Sequence, residues 1–301
     1  MSRATRSGTA PSAAGVLVPA HDEAGTITAC VQSVLTALDH TPGLTARALC
    51  VVADRCSDAT AALARTAAAT HPAADRVRVT VLEPTAGVAP LPGCRSAPRP
   101  HEVAGPVTIG AVRELAAVTL AAVLAADGAA PATTWLLGTD ADGTVAPGWV
   151  AAHLALAAAG ADAVAGGVVL DVPGLPRPPG EPAPPDYPVY GANLGVRGDA
   201  WAAVGGFPPL ACGEDHGLVA RLRAGGYRVV AGAPATVRTS ARTRGRARGG
   251  LADLLRDTGA AGLPGPDRTS VRTGRVGRSH EHRGRRPAGP WPACSRPGRT
   301  R

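Results

Sequence analysis

The chain of 301 residues is long enough for one large domain with a sizeable hydrophobic core, and its 31 basic residues are all Arg. Ten of these Arg lie between residues 257 and 301, beside three acidic residues, so the net charge of +8 belongs mainly to the C-terminal end. The rest of the chain is close to neutral, which gives no support for a nucleic-acid-binding protein.

Cysteine spacing and the distribution of apolar residues exclude several other classes. The six Cys form no C-x-x-C pair and show no zinc-ligand spacing. The first 14 residues lack the apolar stretch of a secretory signal. The sequence also has no charge-free run of about 18 apolar residues, so no membrane span is expected. We therefore expect a cytoplasmic protein in which residues 1–14 form a flexible N-terminus.

The first part of the chain predicts alternating strands and helices. Apolar runs at residues 15–19, 46–53 and 76–82 are typical of buried parallel strands. Between them, apolar residues recur at helical spacing over 26–38 and 58–69. This order predicts an α/β fold with an open, mostly parallel sheet, flanked by helices and joined by right-handed crossovers.

Proline-rich segments interrupt the second part of the predicted fold. The segment 85–106 is expected to be a loop, and 173–188 is expected to be a lid or connector. The remaining predicted elements are helices at 109–126, 147–159 and 199–204, a helix ending at 224, and strands at 161–172 and 227–231. Residues 257–301 are rich in Arg, Gly and Pro without periodicity, which predicts a disordered basic tail.

Polar residues follow three of the apolar strands. They lie at Pro19–Glu23, at Asp54–Asp58, and at Asp140 with Asp142, which follow a further short apolar strand that contains Leu136 and Leu137. Because ligands of such sheets bind outside the carboxyl ends of the strands, we expect these three clusters to share one rim.

The pair Asp140 and Asp142 is a candidate metal site. Side chains separated by one intervening residue project to the same face if the backbone stays extended. Paired carboxylates suit a hard cation such as Mg²⁺ or Mn²⁺. A polar turn that closes the strand is the alternative interpretation of the same residues.

Two further charged positions have a functional and a purely structural interpretation. Arg113 lies in the first turn of the helix 109–126, where an anionic ligand would relieve its conflict with the helix dipole; the alternative is an exposed Arg. Glu214 and Asp215 precede another helix, where an acidic pair that complements the dipole is the alternative to a catalytic role.

The order of these motifs resembles the family 2 glycosyltransferases of the GT-A fold, a Rossmann-like architecture. The matching stretches lie at 18–23, 51–58, 113, 139–142, 191–195, 205–207 and 213–215, and together cover roughly residues 15–255. The resemblance implies a glycosyltransferase domain at 15–256, with a nucleotide-binding half at about 15–145 and an acceptor half at about 146–256. Asp22 stands where the family more often has Asn, and 85–107 is longer than expected.

For the donor, the resemblance implies a UDP- or GDP-sugar that binds across the rim. Pro19, Ala20 and Glu23 would line the base and ribose, and Asp54 would hydrogen-bond the base, most often a uracil.

For the diphosphate and the chemistry, the resemblance implies roles for six more residues. Arg113 and Arg242 would face the diphosphate, while Asp142, with Asp140 as partner toward the metal or ribose, would hold Mg²⁺ or Mn²⁺. In the Gly-Glu-Asp stretch at 213–215, Asp215 would be the general base and Glu214 would support it. The sugar would be transferred with inversion.

Two alternatives to a glycosyltransferase remain open. A nucleotidyltransferase would also use carboxylates and a metal, although its first loop is usually Gly-rich and basic, whereas residues 19–23 are acidic. A catalytically degenerate protein that binds a nucleotide sugar is the second alternative. The acceptor does not follow from the sequence. A Rossmann dehydrogenase is excluded because no G-x-G-x-x-G follows the first strand.

Overall fold

The computed structural model describes residues 10–84, 108–171, 189 and 191–240. These residues belong to one compact unit that ends at Arg242. They form eight strands in one sheet and six α-helices. The predicted loop, the predicted lid and the tail expected to be disordered lie outside the described residues.

The first half of the sheet is entirely parallel. β1 (Ala13–Ala20) lies between β2 (Ala46–Ala53) and β4 (Thr134–Gly138), and β3 (Arg78–Leu82) continues the sheet beyond β2. β1 is buried along its whole length, and β2 is buried except at its second residue. Burial on both faces explains why these strands are continuous apolar runs in the sequence.

The second half of the sheet mixes directions. β7 (Leu194–Arg197) pairs antiparallel with β4 and with β6 (Ala163–Asp171). β8 (Val229–Ser240) is parallel to β6 and antiparallel to β5 (Gly143–Val145). Four of the seven described strand pairings are therefore parallel, and the mostly parallel sheet predicted from the sequence is confirmed.

Helices cover both faces of the sheet and enclose two hydrophobic clusters. α1 (Ile27–Asp39), α2 (Thr60–Ala69) and α4 (Trp149–Ala158) pack in one cluster. The other cluster contains the helices on the opposite face, which are α3 (Ile109–Ala126), α5 (Gly198–Ala203) and α6 (Glu214–Ala224). The fold is thus a three-layer α/β sandwich built mainly from Ala, Val and Leu.

Several boundaries differ from the sequence-based expectation. β1 begins at Ala13, so Ala13 and Ala14 are buried core residues and not part of a flexible N-terminus. β5 and β7 were not predicted, because strands of three and four residues that contain Gly carry little apolar periodicity. β8 extends to Ser240, well beyond the predicted end at 231.

α3 is long and apolar enough to cross a membrane by composition, with a mean hydropathy of 1.8. In this fold it lies against β1 and β2. Its Leu120 and Leu124 pack on Gly15 so closely that a Cβ there would lie 3.1 Å from both side chains. The packing identifies α3 as a core helix of the sheet.

Candidate functional site

The polar residues predicted to share a rim do so. β2, β1 and β4 are parallel neighbours, with Ala20 opposite Ala53 and Leu17 opposite Gly138. The segments that follow these strands therefore leave the same edge of the sheet. This edge, with the N-terminal ends of α3 and α6, is called the rim below.

The loops after β1 and β2 are tied together by hydrogen bonds to Asp22. This residue has a left-handed backbone with φ of 52°, which is uncommon outside Gly. Its Oδ1 accepts a hydrogen bond from the backbone N–H of Ser57 at 2.7 Å. That bond lowers the pKa of the Asp22 carboxyl. His21 adds a second tie, because its Nδ1 donates to the carbonyl of Asp54 at 2.7 Å.

Asp58 makes the matching contacts from the β2 side. Its Oδ2 accepts from the N–H of Ala24 at 3.0 Å, and its Oδ1 accepts from the N–H of Thr60 at 2.9 Å. The Thr60 hydroxyl in turn accepts from the N–H of Glu23 at 2.7 Å. The N-cap of α2 is Ala59, so Asp58 lies one residue before the cap, and its carboxylate still accepts the first N–H of the helix.

Asp54 is a buried carboxylate with one oxygen unsatisfied. Its Oδ2 accepts from Nε and Nη2 of Arg55 at 3.0 and 2.7 Å. Its Oδ1 is buried and has no hydrogen-bond partner in the described part of the chain. A buried acceptor without a donor is unfavourable, and a ligand N–H would satisfy it.

The residues expected to line a base and ribose lie beside Asp54. Pro19 and Ala20 are the last two residues of β1, and the carbonyl of Ala20 accepts from the N–H of Asp54 at 2.8 Å. Glu23 is 7% exposed, and its Oε2 accepts from the hydroxyl of Thr26 at 3.0 Å. These side chains are covered by protein, so they shape the floor of the rim more than its surface.

Asp140 and Asp142 lie in a tight turn between β4 and β5. The N–H of Gly143 donates to the carbonyl of Asp140 at 3.0 Å, so the backbone is not extended as the sequence argument assumed. Oδ1 of Asp142 accepts from the hydroxyl of Thr239 at 3.4 Å. Both carboxylates are near Cys30, whose thiol pKa is raised by burial and then by their two charges.

Arg113 connects three segments that are far apart in the sequence. Its Nε donates to Oε1 of Glu214 at 2.9 Å and its Nη2 donates to Oδ1 of Asp140 at 2.7 Å. Its Nη1 donates to the carbonyl of Gly191 at 3.0 Å. Burial alone would lower the pKa of Arg113, but the surrounding carboxylates outweigh it and raise the pKa.

This environment differs from the one expected for Arg113. The sequence predicted a side chain that faces a diphosphate, whereas the residue is 4% exposed and its guanidinium donates to protein acceptors. The physical reason is the neighbouring pair of carboxylates, which compete for the guanidinium more effectively than solvent does. These contacts hold Asp140 and Glu214 in place, and a contact between Arg113 and a diphosphate stays a prediction.

Gly191 lies between Arg113 and Asp215. Its N–H donates to Oδ2 of Asp215 at 2.7 Å, while its carbonyl accepts from Arg113. A Cβ at this position would lie 2.7 Å from Nη2 and 2.8 Å from Cζ of Arg113. The guanidinium therefore packs directly on the Gly backbone, and a side chain would displace it.

Glu214 and Asp215 open α6 with different environments. Glu214 is 5% exposed, and burial raises its pKa while Arg113 opposes that effect. Asp215 is partly exposed, and its Oδ1 accepts from the N–H of His216 at 2.7 Å. Both acids also complement the dipole of α6. Asp215 is consequently the more accessible carboxylate of the pair.

One cluster of potential metal ligands among the described residues was not predicted from the sequence. Asp22, Cys56 and Asp58 have potential metal-ligating atoms within 4.8 Å of one another. Their carboxylates already accept backbone N–H groups, so the cluster ties the two loops together. The close spacing of Asp54, Cys56 and Asp58 was the only signal in the sequence. Arg242 lies outside the described residues.

A buried polar cluster lies between α4 and the strands of the second half. Nε2 of His153 and Nε1 of Trp149 both donate to Oδ1 of Asn193, each at 2.9 Å. Nδ1 of His153 is buried without a partner in the described part of the chain. Burial lowers the pKa of His153 to about 4, so the imidazole is neutral at pH 7.

No protein-family model and no curated protein matches the sequence. Among solved structures, residues 1–349 of TarS from S. aureus, in complex with UDP, are 15% identical over 76% of this chain and 60% of that chain, with a TM-score of 0.51. The mannosyltransferase PcManGT from Pyrobaculum calidifontis, in complex with GDP-Man and Mn²⁺, is 20% identical over 77% of this chain and 58% of that chain, with a TM-score of 0.47. Glucosyl-3-phosphoglycerate synthase from Mycobacterium tuberculosis, in complex with Mg²⁺ and UDP, is 16% identical over 84% of this chain and 80% of that chain, with a TM-score of 0.42.

The likeness to TarS shows that the chain has the GT-A fold, as the sequence resemblance predicted. The chain spans about three fifths of the length of residues 1–349 of TarS and of the mannosyltransferase. At these identities the likeness concerns the fold alone.

Proposed function

We propose that this chain is a metal-dependent glycosyltransferase that moves a sugar from a nucleotide-diphosphate sugar to an acceptor hydroxyl with inversion. The observation that carries the proposal is the convergence of Asp140, Glu214 and Asp215 around the buried guanidinium of Arg113. TarS, which has the same fold, forms a complex with UDP. A family 2, hexosyltransferase-like enzyme is the class that fits this rim.

For the donor, we assign the nucleobase to Asp54. Its unpartnered Oδ1 would accept an N–H from the base, which the imide of uracil and the edge of guanine both offer. UDP- and GDP-sugars therefore both fit. Ala20 and Glu23 lie on the two sides of the same loop and would support the base and ribose from below.

For the metal, we assign Asp142 and Asp140. Arg113 carries one positive charge and interacts electrostatically with three carboxylates, those of Asp140, Glu214 and Asp215. The rim therefore has excess negative charge near Asp142. Oxygen ligands in such a field suit Mg²⁺ or Mn²⁺. A divalent cation supplies the positive charge that stabilises a leaving diphosphate.

For the acceptor, we assign the general base to Asp215. Its carboxylate would take the proton of the acceptor hydroxyl as the hydroxyl oxygen bonds to the anomeric carbon. The bond from that carbon to the diphosphate breaks, and its electron pair leaves with the nucleoside diphosphate. A base in this position typically contributes about 10² to 10⁴ in rate. Attack opposite the leaving group gives inversion.

The remaining residues support these groups. Glu214 is too buried to meet an acceptor directly, and with Arg113 it holds Asp215 and Asp140 in place. Arg242 would neutralise the leaving diphosphate, a role that remains a prediction. We place the nucleotide-binding half at 15–145 and the acceptor half at 146–256, supported by the change from parallel to antiparallel pairing after β4.

The test is a thermal-shift panel of UDP- and GDP-sugars with and without Mn²⁺. We expect a donor with Mn²⁺ to raise the melting temperature of the wild type and the variant Asp142→Ala to lose most of that shift. Asp127→Asn is the matched control, because Asp127 caps the opposite end of α3 and pairs only weakly with Arg78 at 3.3 Å. An unchanged shift in Asp142→Ala would count against Asp142 as a ligand.

Product analysis separates the alternatives. A transferase releases a nucleoside diphosphate from the donor, and Asp215→Asn should slow this release without weakening donor binding. Release of pyrophosphate from a nucleoside triphosphate and a sugar phosphate would identify a nucleotidyltransferase. A donor-dependent shift without turnover under any acceptor condition would support a degenerate binding protein.

A further inference from the structure

We propose that Glu114 is a positioning residue which, with its neighbour Arg113, fixes the segment 206–214 and thereby the acidic pair at the start of α6. The effect on turnover rests on the proposed function, whereas the structural effect does not. Glu114 carries none of the roles assigned above, and its signal in the sequence was no stronger than that of any helical Glu.

Glu114 holds the beginning of this segment. Its Oε2 accepts from the backbone N–H of Phe207 at 2.7 Å and from Nε1 of Trp201 at 3.2 Å. Trp201 lies in α5 and is 8% exposed, so the carboxylate joins α3 to α5 as well as to the segment. Hydrogen bonds between a charged acceptor and buried donors are among the stronger ones in proteins.

Gly206 allows the carboxylate to come this close. Its backbone is left-handed with φ of 66°, and a Cβ there would overlap both carboxylate oxygens of Glu114. Arg221 from α6 donates to the carbonyl of the same Gly. The turn at Gly206 is therefore held between α3 and α6, and it has no space for a side chain.

The other end of the segment is held from the same part of α3. Arg113 donates to Glu214 at 2.9 Å, and the N–H of Gly110 donates to the carbonyl of Leu210 at 3.0 Å. Three residues within five positions of α3 thus bind the beginning, middle and end of the segment. Asp215 follows directly, so its position depends on how firmly this segment is held.

The contacts show what a substitution at Glu114 must preserve. Both hydrogen bonds go to one oxygen, so Gln keeps them if its amide oxygen takes the place of Oε2. Leu has a similar size and keeps neither. Burial raises the pKa of Glu114, and the hydrogen bonds from Phe207 and Trp201 oppose that rise. The pair Glu114→Gln and Glu114→Leu therefore isolates the hydrogen bonds.

The experiment is amide hydrogen exchange on the full chain of both variants. The N–H of Gly191 reports on Asp215, because it donates to the Asp215 carboxylate at 2.7 Å. In Glu114→Leu we expect exchange at Phe207 and at Gly191 to accelerate by about tenfold or more, with little change in β1 and α1. In Glu114→Gln we expect both rates to stay near the wild type.

Release of nucleoside diphosphate from UDP-glucose, UDP-N-acetylglucosamine or GDP-mannose with Mn²⁺ gives the second readout. A misplaced catalytic group can reduce turnover by about 10²-fold, so in Glu114→Leu we expect kcat to fall toward that extent while KM for the donor is kept. Glu114→Gln should restore kcat.

Three results would overturn the proposal. They are unchanged exchange at Gly191 in Glu114→Leu, equally faster exchange throughout the chain, and Glu114→Gln behaving as Glu114→Leu does. If the wild type neither binds nor turns over any of the three donors, the proposed function fails. The exchange experiment still decides the positioning role in that case.

Discussion

Two groups of acidic residues at the rim are held in place by different kinds of partner. On the side of β1 and β2, Asp22 and Asp58 accept hydrogen bonds from backbone N–H groups. On the side of α3 and α6, Asp140 and Glu214 accept from the buried guanidinium of Arg113. The first group is partly or fully exposed to solvent, whereas Arg113 and Glu214 are buried.

This difference in partners predicts how the stability of each side changes when a partner is lost. Water can replace a carboxylate on an exposed backbone N–H, so that loss is small. A buried charge whose partner is removed has no such replacement, and the cost is several times larger. The same rim therefore has a tolerant side and a sensitive side.

The largest expected loss of stability comes from a substitution on the sensitive side. Arg113→Met leaves Glu214 buried without its counter-charge, and we expect the free energy of unfolding at pH 7 to fall by about 3–5 kcal/mol in urea denaturation. Arg78→Met is the matched control, since its exposed ion pair with Asp127 should contribute at most about 1 kcal/mol. Equal losses in the two variants would contradict the comparison.

Acid pH should destabilise the fold through His153, a buried group outside the rim that has no counter-charge among its partners within the described residues. The folded-state pKa of about 4 lies below the ordinary 6.5, so the unfolded chain binds the proton first as pH falls. His153 therefore favours the folded state less and less below pH 6.5, with a loss of about 2 kcal/mol between pH 7.5 and 5. Urea denaturation of His153→Gln at these two pH values should show a pH dependence smaller by that amount. A dependence equal to that of the wild type would contradict the burial of a neutral imidazole.

The smallest expected effect concerns the tolerant side. Asp58→Ala removes the acceptor for the first N–H of α2, which is part-buried, and for the N–H of Ala24, which is exposed. We expect a loss of about 1 kcal/mol in the free energy of unfolding. Asp58→Asn keeps one acceptor oxygen and should lose less. A loss as large as that of Arg113→Met would remove the distinction between the two sides.

The sequence predicted the parallel half of the fold because local patterns determine it. Buried parallel strands are continuous apolar runs, and the acids after β1, β2 and β4 follow directly from the strand ends. Asp54, Asp140 and Asp142 were found in this way. The antiparallel strands β5 and β7 were not predicted because they are short and contain Gly.

The partners of Arg113 could not be predicted, for a different reason. The residue is separated from Glu214 by 101 positions, and no periodicity links the two. The sequence placed Arg113 correctly on its helix but left it facing outward, because burial of a charged side chain depends on carboxylates from other segments. Glu114 escaped for the same reason, since its role depends on a turn at Gly206 that is formed elsewhere in the chain.

Gly191 carries a genetic consequence of this packing. Every missense change adds a Cβ where the guanidinium of Arg113 lies, 2.7 Å from Nη2. Such a change would disturb the groups that hold Asp140 and the groups that hold Asp215 at once. If Asp215 is the general base as proposed, a random-mutagenesis screen for loss of activity should therefore recover this Gly codon as readily as the codon of Asp215, although Gly191 has no side chain to take part in the reaction.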